Sequence, residues 1–167
     1  SMVDPDLISL LYDASRAGVK ITLIVRGICC LIPGIEGVSE NITVISIVGQ
    51  LLEHSRIFKF ENGGEPVVYI GSADWMQRNL DKRVELVFPV EDEDLKKRVF
   101  GMLDIMMNDT INARVQKSDM TYVMIDKRGK QPLNSQLEFY RLAKEALEEV
   151  KNDRQQPMFV PKESENN

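Results

Sequence analysis

Histidine is almost missing from this chain: one imidazole, His54, stands among 167 residues. Cysteine is nearly as scarce, and the two present, Cys29 and Cys30, are sequence neighbours. A disulfide between neighbours is strained and neither cysteine has metal-ligand spacing, so a disulfide framework and a zinc site are set aside and a reduced, cytoplasmic protein is expected. No apolar run approaches the roughly 20 residues needed to cross a bilayer, and no secretory leader is legible. A nucleophile elbow, a P-loop and a kinase loop set are all absent, which disfavours Ser-His-Asp hydrolysis and the commonest ways of gripping ATP. The net charge of −5 argues against non-specific nucleic-acid binding, and no repeat or low-complexity block interrupts the chain.

What is present is an ordinary globular composition, 43% hydrophobic and 28% charged, in a length that suits one domain with a real core. Ser1-Met2 reads as a start left by cloning, so a piece of a longer protein is expected. The polar tail, residues 152–167 (NDRQQPMFVPKESENN), carries two prolines and reads as disordered.

The chain is organised around residues 52–85, which hold the histidine. A strand-like run at 56–60 leads through Asn62-Gly63-Gly64 into a second run at 66–70, which delivers Gly71-Ser72. Such a hairpin brings His54, just before one strand, and Gly71-Ser72, just after its partner, to one end of a sheet. Small residues in Gly71-Ser72-Ala73-Asp74 let a backbone approach an anion closely. Imidazole is suited to attack phosphorus or to shuttle a proton to a leaving phosphate.

Around this hairpin the pattern is helix and strand. Asp4 or Asp6 caps a first helix with Pro5 in its opening turn and Gly18 at its end. Residues 19–25 (VKITLIV) read as a buried central strand, ending at Arg26. That arginine is either a phosphate clamp or a surface residue opening a loop. Cys29 and Cys30 read as small core residues. Residues 42–48 supply another strand, 49–54 (GQLLEH) a short helix and 84–90 a strand; a helix opens in the carboxylate-rich 91–94 stretch and runs to about 108, its Met-rich stripe facing the core. Residues 113–116 and 121–125 alternate as a hairpin, and Asn134 or Ser135 caps a last helix at 136–151, with Glu138 spaced as in a capping box. The expected class is α/β, a mixed β-sheet flanked by helices.

His54-x-Arg56, four residues, then Glu61 resembles the phospholipase D signature H-x-K-x4-D. Gly71-Ser72-x-Asp74 and Glu85 fall on the spacing of that superfamily's G-S-x-N-x4-S-x3-N-x-E, with Asp74, Asn79 and Arg83 departing from it. Longer stretches, VDPDLISLLYDASRAGVKITLIVRGICCLIPGI, SIVGQLLEHSRIF, YIGSADWMQRNLDKRVELVFPV and NSQLEFYRLA, resemble one branch, the C-terminal domain of bacterial polyphosphate kinases. The resemblance implies a phospholipase-D-like domain over residues 3–151, the last of four in a larger chain whose final two domains face one another. It implies reversible transfer of the terminal phosphate of ATP, with Mg2+, through a histidine of the preceding domain to inorganic polyphosphate. Arg26 would bind nucleotide phosphate and His54 would be a second active-site histidine that also binds nucleotide. Arg56, Arg78, Lys82 and Arg83 are candidate polyanion contacts, or else solvated and salt-bridged surface charges; Glu53 and Glu61 are candidate orienting groups.

Ile32 stands where many members have Arg, which implies less positive charge near the phosphate path. The implied partners are ATP or ADP, polyphosphate and the preceding domains, in a full-length homo-oligomer without nucleic acid or a transmembrane segment. The magnesium ligands are expected outside this chain, the isolated domain is expected to be inactive, and membrane association stays open for the full-length protein. Two other readings remain: a non-catalytic polyphosphate- or nucleotide-binding module, and a phospholipase-D-type phosphodiesterase that pairs two copies. Arg56 and Glu61 speak against the latter.

Overall fold

A computed structural model describes residues 1–153. Helix α1 (Pro5–Arg16) starts where Asp4 accepts a hydrogen bond from the Leu7 N–H at 3.0 Å and stops at Ala17, followed by Gly18 in the left-handed region (φ 87°). Then come β1 (Ile21–Ile24), β2 (Ile42–Ile47), β3 (Arg56–Phe60), β4 (Val67–Gly71), α2 (Gln77–Leu80), β5 (Val87–Pro89), α3 (Glu93–Met107), β6 (Ala113–Gln116), β7 (Tyr122–Met124) and α4 (Ser135–Asp153). Of the tail expected to be disordered, residues 154–167 lie outside those described, and Asn152 and Asp153 belong to α4.

The α/β class stands, with the strands divided between two sheets. One runs β1-β2-β6-β7, parallel between β1 and β2 and antiparallel beyond; the other is the antiparallel β3-β4-β5. The expected central strand is displaced by one. β2 lies between β1 and β6 and is buried on both faces, whereas β1 is an edge. Val44 packs with Val25, Leu31 and Ile42 against Ile8, Leu11 and Tyr12, so α1 covers one face. Ile45, Ile47 and Ala113 pack with Met106 of α3 on the other.

Residues 1–4 stitch the two sheets together. The Met2 N–H donates to the Ile28 carbonyl at 2.8 Å, and the Val3 and Asp4 N–H groups donate to the Trp75 carbonyl at 2.8 and 2.9 Å. Met2, read from sequence as part of an added start, is buried in the core.

Three local expectations are corrected. Residues 49–54 form no helix. The Leu51 N–H donates to the Gln136 side-chain oxygen at 3.0 Å, and the Gln136 amide returns a bond to the Leu51 carbonyl at 2.8 Å, so the segment is held as an irregular stretch with a bend at Gln50-Leu51, and its leucines are exposed. Cys29 is buried, with burial pushing its thiol pKa up, but Cys30 is exposed. The capping box is not closed: Asn134 accepts from the Gln136 and Leu137 N–H groups, while Ser135 donates to Asp109 and Glu138 holds Arg141.

Candidate functional site

A cavity lies along β1, an edge strand of its sheet. It has a volume of about 250 Å³ and is lined by β1 and its exit at Arg26, by residues 53–58 with His54 and Arg56, and by Ala73, Asp74 and Trp75. The hairpin performs the placement expected of it. Arg56 pairs with Gly71 in the β3–β4 ladder, so the residues before β3 and those after β4 emerge at the same end.

Two devices hold these loops. Arg56 spends its whole guanidinium: Nε and Nη2 each lie 3.2 Å from Asp74 Oδ1, and Nη1 donates to the His54 carbonyl at 2.8 Å. Burial works to raise the Asp74 carboxyl, but hydrogen bonding led by Arg56 outweighs it and holds the group below its usual range. Phe58 stacks on Trp75 with ring centres 5.4 Å apart, which packs β3 against the loop after β4.

Arg26 is exposed and donates from Nε to the Glu53 carbonyl at 3.1 Å, one residue from His54. The Glu53 carboxylate accepts from Gln136 at 3.0 Å. The segment around His54 is thus gripped through its backbone by Arg26, Arg56 and Gln136. The His54 side chain is exposed, and among the described residues neither ring nitrogen is hydrogen-bonded to protein. An imidazole held by its backbone and open at its nitrogens is positioned to meet a ligand.

Gly71 has its own constraint. A Cβ there would stand 2.8 Å from the Leu86 carbonyl, so glycine permits the close approach of β5. Beyond it, Ser72 donates to the Glu85 carboxylate, Asn79 donates to the same carboxylate at 2.7 Å, and the Leu86 N–H donates to the Ser72 hydroxyl at 3.1 Å. The bonds from Ser72 and then Asn79 hold the Glu85 carboxyl below its ordinary range. The phospholipase-D-like positions Ser72, Asn79 and Glu85 therefore shape the loop that carries Asp74.

The other candidates stand apart from the cavity. Arg78 lies on α2, Lys82 and Arg83 follow it, and all three are exposed and absent from the lining. Glu61 sits at the far end of β3, paired with Lys59 at 2.7 Å. Ile32 is half-buried, with its N–H donated to the Tyr12 hydroxyl at 2.9 Å, and does not line the cavity. Sequence reasoning missed Gln136, whose bonds to Leu51 span 85 residues, and did not foresee Asp74 as the partner of Arg56.

A magnesium site does not fit these residues. Among the described residues no group of three or more His, Cys, Asp or Glu side chains converges, and of the two carboxylates that line the cavity Asp74 is paired with Arg56 and Glu53 accepts from Gln136. No helix among them is long and apolar enough to cross a membrane.

Residues 1–136 match the family model described as polyphosphate kinase C-terminal domain 2. The chain is 52% identical over 147 residues to a polyphosphate kinase of Lactiplantibacillus plantarum, covering 88% of this chain and 20% of that protein. It is 54% identical over 153 residues to one of Synechocystis sp., covering 92% and 21%. The crystal structure of polyphosphate kinase from Porphyromonas gingivalis superposes with a TM-score of 0.83 at 43% identity, covering 88% of this chain and 22% of that one. The chain thus spans about a fifth of the length of the relatives it matches.

Proposed function

Because the chain belongs to the polyphosphate kinase family, matching its C-terminal domain, we propose that it supplies one half of the active site of a reversible ATP:polyphosphate phosphotransferase. In this reading a histidine of the preceding domain attacks the γ-phosphorus of ATP. The bond from that phosphorus to the β–γ bridging oxygen breaks, ADP leaves, and a phosphohistidine forms. A terminal oxygen of polyphosphate then attacks the phosphorus, the P–N bond breaks, and the chain is one unit longer. Phosphoryl transfer asks the protein mainly for positioning and for charge to meet the transferring oxygens.

The supporting observation is the convergence of Arg26 and His54 on one cavity, with the backbone between them held by Arg56 and Gln136. Arg26, always charged and forked, neutralises the β- and γ-phosphates. His54 bonds the transferring phosphoryl group and exchanges a proton with the departing or attacking oxygen. Arg56 acts through its clamp and is a positioning residue. Arg78, Lys82 and Arg83 serve polyanion binding away from the cavity, on a surface shared with the preceding domains. The domain runs over residues 3–151, Mg2+ is held by groups outside this chain, and the full-length protein is a cytoplasmic homo-oligomer.

The open ring of His54 also favours a second reading, in which the domain binds nucleotide and polyphosphate without taking part in the chemistry. Arg26→Gln in the full-length enzyme tests the binding common to both readings. The Michaelis constant for ATP should rise about tenfold, the scale of one charge-assisted contact. An unchanged constant would remove Arg26 from the nucleotide site.

A further inference from the structure

Arg26 walls two cavities. The second, about 470 Å³, opens over the β2-β6-β7 sheet and is lined by Arg26, Ser46, Asn112, Arg114 and Tyr122 among others. The strand register makes this grouping. Ser46 stands opposite Arg114 in the β2–β6 ladder, and Arg114 opposite Met124 in the β6–β7 ladder. Cross-strand partners share a face, and Tyr122, two residues before Met124, lies on that face too.

The charges there are of one sign. Among the described residues that line this cavity, none carries a carboxylate. Arg16, Arg56, Arg128 and Arg141 each grip an acidic side chain. Among the described residues Arg114 grips none, and Arg26 is engaged only by the Glu53 carbonyl. Two guanidinium groups with donors to spare, joined by a hydroxyl and an amide, form a surface for phosphate oxygens, with the Tyr122 phenol, which donates to Gln116 at 3.2 Å, as a fixed wall.

We infer that this second cavity is a subsite for successive phosphates of linear polyphosphate, reached from the His54 cavity past Arg26. The inference rests on the proposed role of the first cavity. A nucleotide carries its phosphates at one end and needs only the first cavity, whereas a chain with a charge on every phosphorus can fill both. Arg26 is the hinge between them, so nucleotide and chain share it and differ at Arg114.

The test is equilibrium binding of ADP, tripolyphosphate and long-chain polyphosphate to the full-length enzyme and to Arg114→Gln, Asn112→Asp and Arg26→Gln variants. Circular dichroism checks each fold. Arg114→Gln should weaken long-chain binding about tenfold, as one lost charge-assisted contact does, and leave ADP and tripolyphosphate unchanged. Asn112→Asp, which sets a carboxylate in the groove at nearly constant volume, should act in the same direction. Unchanged long-chain affinity in both variants, with ADP binding weakened by Arg26→Gln, would overturn the second subsite and leave the first intact. Loss of neither ligand in the Arg26 variant would overturn the nucleotide reading and this inference with it.

Discussion

Arg56 occupies the position where the phospholipase D signature has lysine, and its geometry shows what the change does. One planar group holds Asp74 from β4's exit and the His54 carbonyl before β3. An ammonium is a point charge and cannot span both. Arg56→Lys should therefore lower kcat about tenfold with little change in the Michaelis constant for ATP, while Arg26→Gln shows the reverse pattern; steady-state kinetics separates the two. Asp74 adds a pH signature. Its folded pKa lies below the unfolded value, so the stability it contributes is present above the unfolded pKa and is lost as pH falls through the folded one. Denaturant titration of Asp74→Asn should show a loss of about 1–2 kcal/mol at neutral pH, modest because the group is partly exposed, and a loss shrinking toward zero in acid. Equal stability at neutral pH would show that the clamp contributes nothing.

Between elements, one buried carboxylate does the joining. Asp109 Oδ1 accepts from the Ile111, Asn112 and Ala113 N–H groups at 2.9, 2.7 and 3.3 Å. Its Oδ2 accepts from the Ser135 N–H at 2.8 Å and the Ser135 hydroxyl at 2.7 Å. The residue is fully buried, and these bonds overcome the burial that would raise its pKa. Asp109→Ala strands those donors and should cost about 3 kcal/mol or more, read from the denaturation midpoint at constant slope. Gln136, at the start of the same helix, reaches back to the 49–54 segment. Gln136→Ala should speed hydrogen exchange at the Leu51 amide about tenfold, the equivalent of one lost hydrogen bond; unchanged protection would mean that Gln136 does not hold the segment.

These two side chains also mark where sequence reading stops. The β3–β4 hairpin was legible, its first strand as read and its second one residue later than read, because alternating apolar positions flank an Asn-Gly-Gly turn. The first helix was legible from Asp4, Pro5 and Gly18. The GQLLEH stretch has helical composition, and nothing local announces that an amide 85 residues away holds it out of a helix. Ser135 with Glu138 spells a capping box, but Asp109 takes the serine. The VKITLIV run reads as central because apolar content cannot distinguish a neighbouring strand from a cavity beside it. His54 and Arg26 were found as candidates because single polar residues at strand ends stand out; Arg114 was not, since its place opposite Ser46 exists only in the register.

At the scale of the whole molecule, the β3-β4-β5 sheet is under-covered. Val84 is 99% exposed and Leu86 68%, and Phe60, Val87 and Phe88 are each at least half open. That exposed apolar surface is what the proposed division of the site requires, a face that packs against further domains. The isolated chain should give no polyphosphate from ATP, and adding the remaining domains in trans should restore synthesis; activity in the chain alone would refute the division of the site. The most direct measurement uses the full-length enzyme and ATP labelled at its terminal phosphate, comparing polyphosphate synthesis by the parent and by a folded His54→Ala variant. The expected result is a fall of more than about 100-fold, the scale of a lost acid–base group. Near-normal synthesis would contradict it and confine this domain to binding.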